Sequence, residues 1–329
     1  MATINTELPT LLDQMKRLDP NGAIAHIVEL LQRKNAILED AVFMEGNLPT
    51  GHRFTSRTAL PAVGWRRLNE GITPGKSATE QVDEATGMLE GMSVVDVDLA
   101  KLGGNEAAFR ASEDKGFIQS LSNEAETALF YASTATAPET IQGLTPRLNS
   151  LSGRAKSQII PVDAGAAGND QASIWLVVWG PESVFGIYPK GSQGGLNSKD
   201  MGEQLWDDGV GRKFRAYVSH WQWKLGLVVK DYRQIVRMPN IDTSALDGTA
   251  DTIIPAMIRG YSQIHDLRAG RPVFYVSRTV ETYLWLQARN AVKNSTLAVR
   301  EVEGRPVLTF MGIPVRRADA LLTTESVVS

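Results

Sequence analysis

Between Val184 and Leu196 the chain reads VFGIYPKGSQGGL. Its Lys190-Gly191-Ser192, followed by Gln193-Gly194-Gly195, has the residue types of a phosphate cradle. Such a cradle needs glycines that expose backbone N–H groups and a lysine that reaches the phosphate, in the order G-x-x-x-x-G-K-[ST] opening a helix. Here the lysine precedes the glycines and no helix-period pattern follows, so the geometry does not transfer. GVGR at 209–212 lacks the third glycine and the strand–helix setting of a dinucleotide site. There is no G-x-S-x-G elbow for a serine nucleophile. His26, His52, His220 and His265 are scattered, with no i, i+4 pair to set two imidazoles on one helix face for zinc. Cysteine is absent, which removes thiolate chemistry, disulfides and cysteine metal sites together. VDVDLA places Asp96 and Asp98 on one side of an expected strand, where they suit either a metal site or a solvated edge. No catalytic, cofactor or metal constellation emerges, and no enzymatic activity is expected.

The sharper pattern is one of charge. Arg53, Arg57, Arg66, Arg67 and Lys76 are opposed only by Glu70 between residues 53 and 76. Glu80, Asp83, Glu84, Glu90, Asp96 and Asp98 then follow with no basic residue among them. Two readings stay open. The blocks are two solvated faces, or one copy's basic loop lies on the next copy's acidic segment, a head-to-tail contact that builds rings and lattices. On the second reading the candidate contact residues are Arg53, Arg57, Arg66, Arg67, Lys76, Glu80, Asp83, Glu84 and Glu90.

The elements that must position these residues can be read from periodicity. At 329 residues, 43% hydrophobic and 22% charged, the chain is long and apolar enough for one large domain or two. Its net charge of −3 gives no reason for the whole surface to hold nucleic acid. No signal peptide is read in MATINTELPT, and no apolar window approaches the roughly 20 residues that cross a bilayer. A soluble protein, intracellular when made, is expected. Residues 6–45 predict helix, break and helix, with DPNG at 19–22 as the breaker. The Pro- and Gly-rich stretch after Asn47 has little apolar mass and is long for a simple connection, which marks it as functional or packed on something else. Residues 105–132 predict a long helix, N-capped by Asn105, with Phe109, Phe117, Leu121, Ala125, Ala128 and Leu129 mainly on one face. SIWLVVWG at 173–180 predicts a buried central strand, and 213–238 predicts further strands. Helices are expected from DGTADTIIPAMIRGYSQIHDLRAG, with Pro255 in the first turn, and from RTVETYLWLQARNAVKN. RPVFYVS is a further strand, and FMGIP a turn between two β runs. Strands interleaved with helices predict an α+β fold.

The order of these features, and the wording of three stretches, resembles a known family. LDPNGAIAHIVELLQRKNAILEDAVFMEGNLPTGHRFTSRTALPAVGWRRLNEG, SIWLVVWGPESVFGIYPKGSQGGL and GLVVKDYRQIVRMPNID are similar to major capsid proteins of short-tailed bacteriophages, with the Hong Kong 97-type fold. The resemblance covers nearly the whole chain. It implies an arm at 1–47, an extended loop at 48–88 that reaches onto a neighbouring subunit, and a peripheral domain at 89–138 with 105–132 as its spine helix. An axial domain at 139–299 and a return to the peripheral domain at 300–329 complete the scheme. It also implies hexamers and pentamers in an icosahedral shell around double-stranded DNA, with a portal at one vertex, assembled in the host bacterial cytoplasm. Some members of the family cross-link through a lysine and an asparagine, but Lys76 alone does not identify that chemistry and no cross-link is expected. Because the sequence starts at the arm, a scaffold is expected as a separate protein, and a decoration protein is compatible with this scheme. The rival readings are an encapsulin-type nanocompartment shell, a hydrolase or nucleotide-binding enzyme, and a portal or tail component.

Overall fold

The computed structural model describes residues 8–10, 33, 35–102, 105–163, 165–244, 246, 253–288, 297–302 and 305–329. Its centre is β4 (Gln171–Trp179), buried along its whole length as a strand covered on both faces must be. Antiparallel partners flank it, β8 (Ile235–Asp242) on one side and β9 (Arg271–Val276) on the other. Alternate β4 side chains enter two cores. Trp175, Val177 and Trp179 pack with Leu129, Phe130, Ile37 and Leu144, whereas Ile174, Leu176 and Val178 pack with Ile253, Met257, Leu284 and Phe310. Each fully buried large apolar side chain contributes roughly 2–3 kcal/mol, so β4 alone anchors much of the fold.

Five α-helices lie among the described residues: α1 (Ala36–Asp40), α2 (Val97–Leu102), α3 (Glu106–Tyr131), α4 (Ile253–Gln263) and α5 (Arg278–Ala288). The expected long helix is α3, at 26 residues about 39 Å in length. Asn105 caps it, its side chain accepting from the Ala108 N–H at 3.1 Å. The chain then turns back so tightly that Gly143 sits against the end of α3. A Cβ at Gly143 would lie 2.7 Å from the Ala128 carbonyl oxygen.

A second sheet region carries α3. β3 (Ala78–Asp96) is one 19-residue strand. It pairs antiparallel with β2 (Gly51–Ala59) through Ala85, and from Thr86 to Asp96 with β7 (Lys213–Val229). β6 (Leu196–Asp207) flanks β7 on its other side. Val95 faces α3 and packs with Phe109. Its neighbour Val94 points to the opposite face, where Ala216, Val218 and Leu8 join it. Gly91 leaves room for Phe117 of α3, whose ring would lie 3.2 Å from an added Cβ. The two regions join where β7 pairs with β5 (Val184–Tyr188), which also pairs in parallel with the short β1 (Phe43–Glu45). The hairpin of β10 (Leu297–Val302) and β11 (Arg305–Phe310) continues into β12 (Ile313–Arg317), which pairs in parallel with β9.

The α+β architecture agrees with the sequence reading, as do β4, β9, α3, α4 and α5. Met311 and Gly312 both have positive φ, 48° and 85°, the geometry of a tight two-residue hairpin at the FMGIP turn. Of the expected helix pair at 6–45, α1 and β1 occupy the end, and residues 11–32 lie outside the described residues. The reading of VDVDLA is corrected. The strand stops at Asp96, whose Oδ1 accepts from the Asp98 N–H at 2.8 Å and starts α2, so the two acids do not share a strand face. β7, within 139–299, lies along β3, and β12, within 300–329, lies along β9.

Candidate functional site

β2 and β3 project from the body as a two-stranded hairpin with a register running from Gly51↔Ala85 to Arg57↔Thr79, and an irregularity between Arg57 and Ala59. Phe54 and Val82, opposite each other, fix its root by packing on Phe185, Ile187 and Val228. Beyond Ala59 and Ala78 the tip, residues 60–77, is exposed throughout. Its one hydrogen-bonded turn runs from Arg67 to Glu70, where the Glu70 N–H donates to the Arg67 carbonyl at 3.3 Å.

The candidate charges fall into two groups. Arg53 and Asp83 face each other across the hairpin, two guanidinium N–H groups reaching the carboxylate at 2.6 Å each. That hydrogen bonding holds the Asp83 carboxyl below its ordinary range. Glu84 is buried and grips Arg147 through bonds of 2.5 and 2.8 Å. The same guanidinium donates to the carbonyls of Gln142, Gly143 and Leu227, so this pair bolts the hairpin root to the body. Glu90 accepts from Gln222 and lies 3.5 Å from His220, and these contacts, Gln222 foremost, hold its carboxyl low. Arg53, Asp83, Glu84 and Glu90 are thus engaged within their own chain. Arg57, Arg66, Arg67 and Lys76 stand exposed on the hairpin and its tip.

Charge patterning missed the tip's apolar residues. Leu60 is 77% exposed, Val63 94%, Trp65 105%, Leu68 91% and Ile72 68%. Their signal in the sequence was a tryptophan in a Pro- and Gly-rich stretch with no periodic apolar partners.

The glycine loop after β5 is occupied by the protein itself. Gly191 takes a positive φ of 76°, and its N–H, the group a phosphate would need, donates to the Glu45 carboxylate at 2.7 Å. Gly194 packs beneath the Tyr188 ring, where a Cβ would lie 2.9 Å from the nearest ring carbon.

Two buried acids mark the body. Glu325 joins Arg237 at 2.9 Å, and the Tyr131 hydroxyl donates to it at 2.5 Å. Arg237, 2% exposed at its side chain, also reaches Ser173 Oγ and the Leu148 carbonyl. Burial, with Glu325 beside it, pushes the Tyr131 phenol up. Glu126, on α3, is fully buried with neither carboxylate oxygen hydrogen-bonded among the described residues. Burial, and secondarily Asp319, pushes its pKa up to about 8, only partly offset by the Ile37 and Ala320 backbone and by Arg33.

A well-packed body bearing a hairpin with no core of its own, ending in exposed apolar and basic residues, has the make-up of a structural subunit that completes itself against other protein. The chain belongs to the major capsid protein GP7 family, whose model matches residues 19–329. Over 100% of its length it aligns with 99% of a chain in the structure of bacteriophage Epsilon15, at 38% identity and a TM-score of 0.80. Looser likenesses include the bacteriophage JBD30 capsid, at 8% identity, a TM-score of 0.49, and coverage of 89% of this chain and 92% of that one. The SrpI encapsulin complex of Synechococcus elongatus PCC 7942 aligns at 11% identity and a TM-score of 0.45, over 71% of this chain and 96% of that one. No curated protein matches the chain. The class implied by the resemblance, a tailed-phage major capsid protein of Hong Kong 97-type fold and a component of the virion shell, is borne out.

Proposed function

We propose that copies of this chain assemble as hexamers and pentamers into an icosahedral shell that encloses double-stranded DNA without reading its sequence, and that the subunit's role is structural rather than catalytic. The observation that carries the assembly mode is the β2–β3 hairpin, whose tip over 60–77 is exposed throughout and carries Arg66, Arg67 and Lys76. In this reading 48–88 lies on a neighbouring subunit, and Arg57, Arg66 and Arg67 meet acidic residues there, Glu80 among the candidates. Arg53, Asp83, Glu84 and Glu90 shape the hairpin and its seat from within. The arm at 1–47, the peripheral parts at 89–138 and 300–329 and the axial part at 139–299 are the working division of the subunit. A separate scaffold, a portal at one vertex, a possible site for a decoration protein and assembly in the host cytoplasm complete the scheme.

Reversing Arg66 and Arg67 together to Glu tests it. The double variant should remain a folded, soluble subunit by circular dichroism and form no closed particles in electron micrographs. Normal shells from it would remove the contact. Particles loaded with an enzyme rather than DNA would favour a nanocompartment instead.

A further inference from the structure

Single apolar residues on a surface need no explanation, but five large ones between Leu60 and Ile72 do. Trp65, the most exposed of them, is followed directly by Arg66 and Arg67. A surface of matching character lies midway along the hairpin's own inner strand. A groove of about 200 Å³ between β3, α3 and residues 139–141 is lined by Met88, Leu89, Ala128, Ile141 and Leu225. Gly87 lets the 139–141 segment close against β3, since a Cβ there would lie 3.2 Å from both the Glu139 carbonyl oxygen and Ile141 Cγ2. Met88, on the lip, is 66% exposed. Two exposed carboxylates, Glu124 and Glu139, stand at the rim, and no basic residue among the described ones lines it.

We propose that this groove receives Trp65 from the hairpin tip of a second copy, with Arg66 and Arg67 meeting Glu124 and Glu139. The proposal rests on the reading that copies assemble through the hairpin, and it names the surface that the tip meets. A subunit does not fill its own groove. Along β3, Leu89 is about 36 Å from Ala78 at the strand rise, while Trp65 extends at most about 22 Å beyond Ala59. Each copy therefore donates one tip and accepts another, a head-to-tail contact that propagates around a ring. An indole in an apolar slot with charge at the rim has the composition of an interface hot spot, and the rim pairs fix its orientation.

The chain has no cysteine, so introduced cysteines report one contact at a time. Assembled W65C/M88C, treated with a short bis-maleimide, should run as a ladder of linked subunits on a denaturing gel. W65C paired with L205C, on the exposed strand β6, should not. Trp65→Ala should leave the melting of the unassembled subunit unchanged and raise the concentration needed for assembly by about tenfold or more. An unchanged assembly threshold in Trp65→Ala, or linkage to L205C as readily as to M88C, would overturn the groove and leave the shell reading intact. If the parent chain formed no closed particle, both would fall.

Discussion

Glu126 is a carboxyl placed where a carboxylate is hard to keep. Folding moves its pKa from 4.5 to about 8, so the folded state holds the proton more tightly than the unfolded chain does. The stability this contributes is complete below about pH 4.5 and is lost as pH rises toward and through 8. Each unit of the shift is worth roughly 1.4 kcal/mol, a few kcal/mol in all. Glu126→Gln, neutral at every pH, should match the parent in urea melts at pH 4.5 and exceed it at pH 9. A constant difference across that range would refute the assignment. Glu325, by contrast, is buried against the Arg237 guanidinium. Glu325→Ala leaves Arg237 buried without its counter-charge and should cost about 3–5 kcal/mol in the same melts. Neither residue was legible beforehand. The sequence shows a glutamate on a helix and a glutamate in a polar tail, and only the fold reveals that one has lost its water and the other has met an arginine 88 residues away.

Elements were read well where a single face or a continuous apolar run decides them. Asn105, the spacing of Phe109, Leu121, Ala125 and Leu129, and the extended residue at Ala132 delimit α3. The density of SIWLVVWG gives β4. β6 escaped because LNSKDMGEQLWD has no buried face to impose an alternation, and its strand character comes from pairing with β7. The continuity of β3 escaped too, because glycines and glutamates interrupt its apolar pattern while two different partners hold its halves. The hairpin shows in the sequence as an excursion, through its lack of apolar mass and its segregated charges. Which of those charges are spent inside the subunit depends on cross-strand register and on Arg147, which sequence spacing does not supply. At Gly116 of α3 an added methyl meets open space. Gly116→Ala should therefore raise stability by about 1 kcal/mol, read as a higher urea midpoint with an unchanged slope. A fall instead would mean that the helix bends there on purpose.

At the scale of the molecule, the body is stitched across long sequence distances and the hairpin is not. Asn240 brackets Val328, accepting from its N–H and donating to its carbonyl, and the Glu325 N–H donates to the Gln171 carbonyl. α1 joins in through Asp40, which takes Arg316, Arg271 and the Tyr275 hydroxyl. A subunit closed in this way presents its neighbours with a firm block and one long projection. That projection has a mechanical meaning, because its inner strand does not end at the root. β3 runs on without a break beneath α3, hydrogen-bonded to β7 from Thr86 to Asp96. A neighbour that pulls on the tip along the hairpin loads this ladder parallel to its strands. Its hydrogen bonds then resist together in shear instead of parting one at a time, and the tension passes into the centre of the subunit as it would along a tie rod.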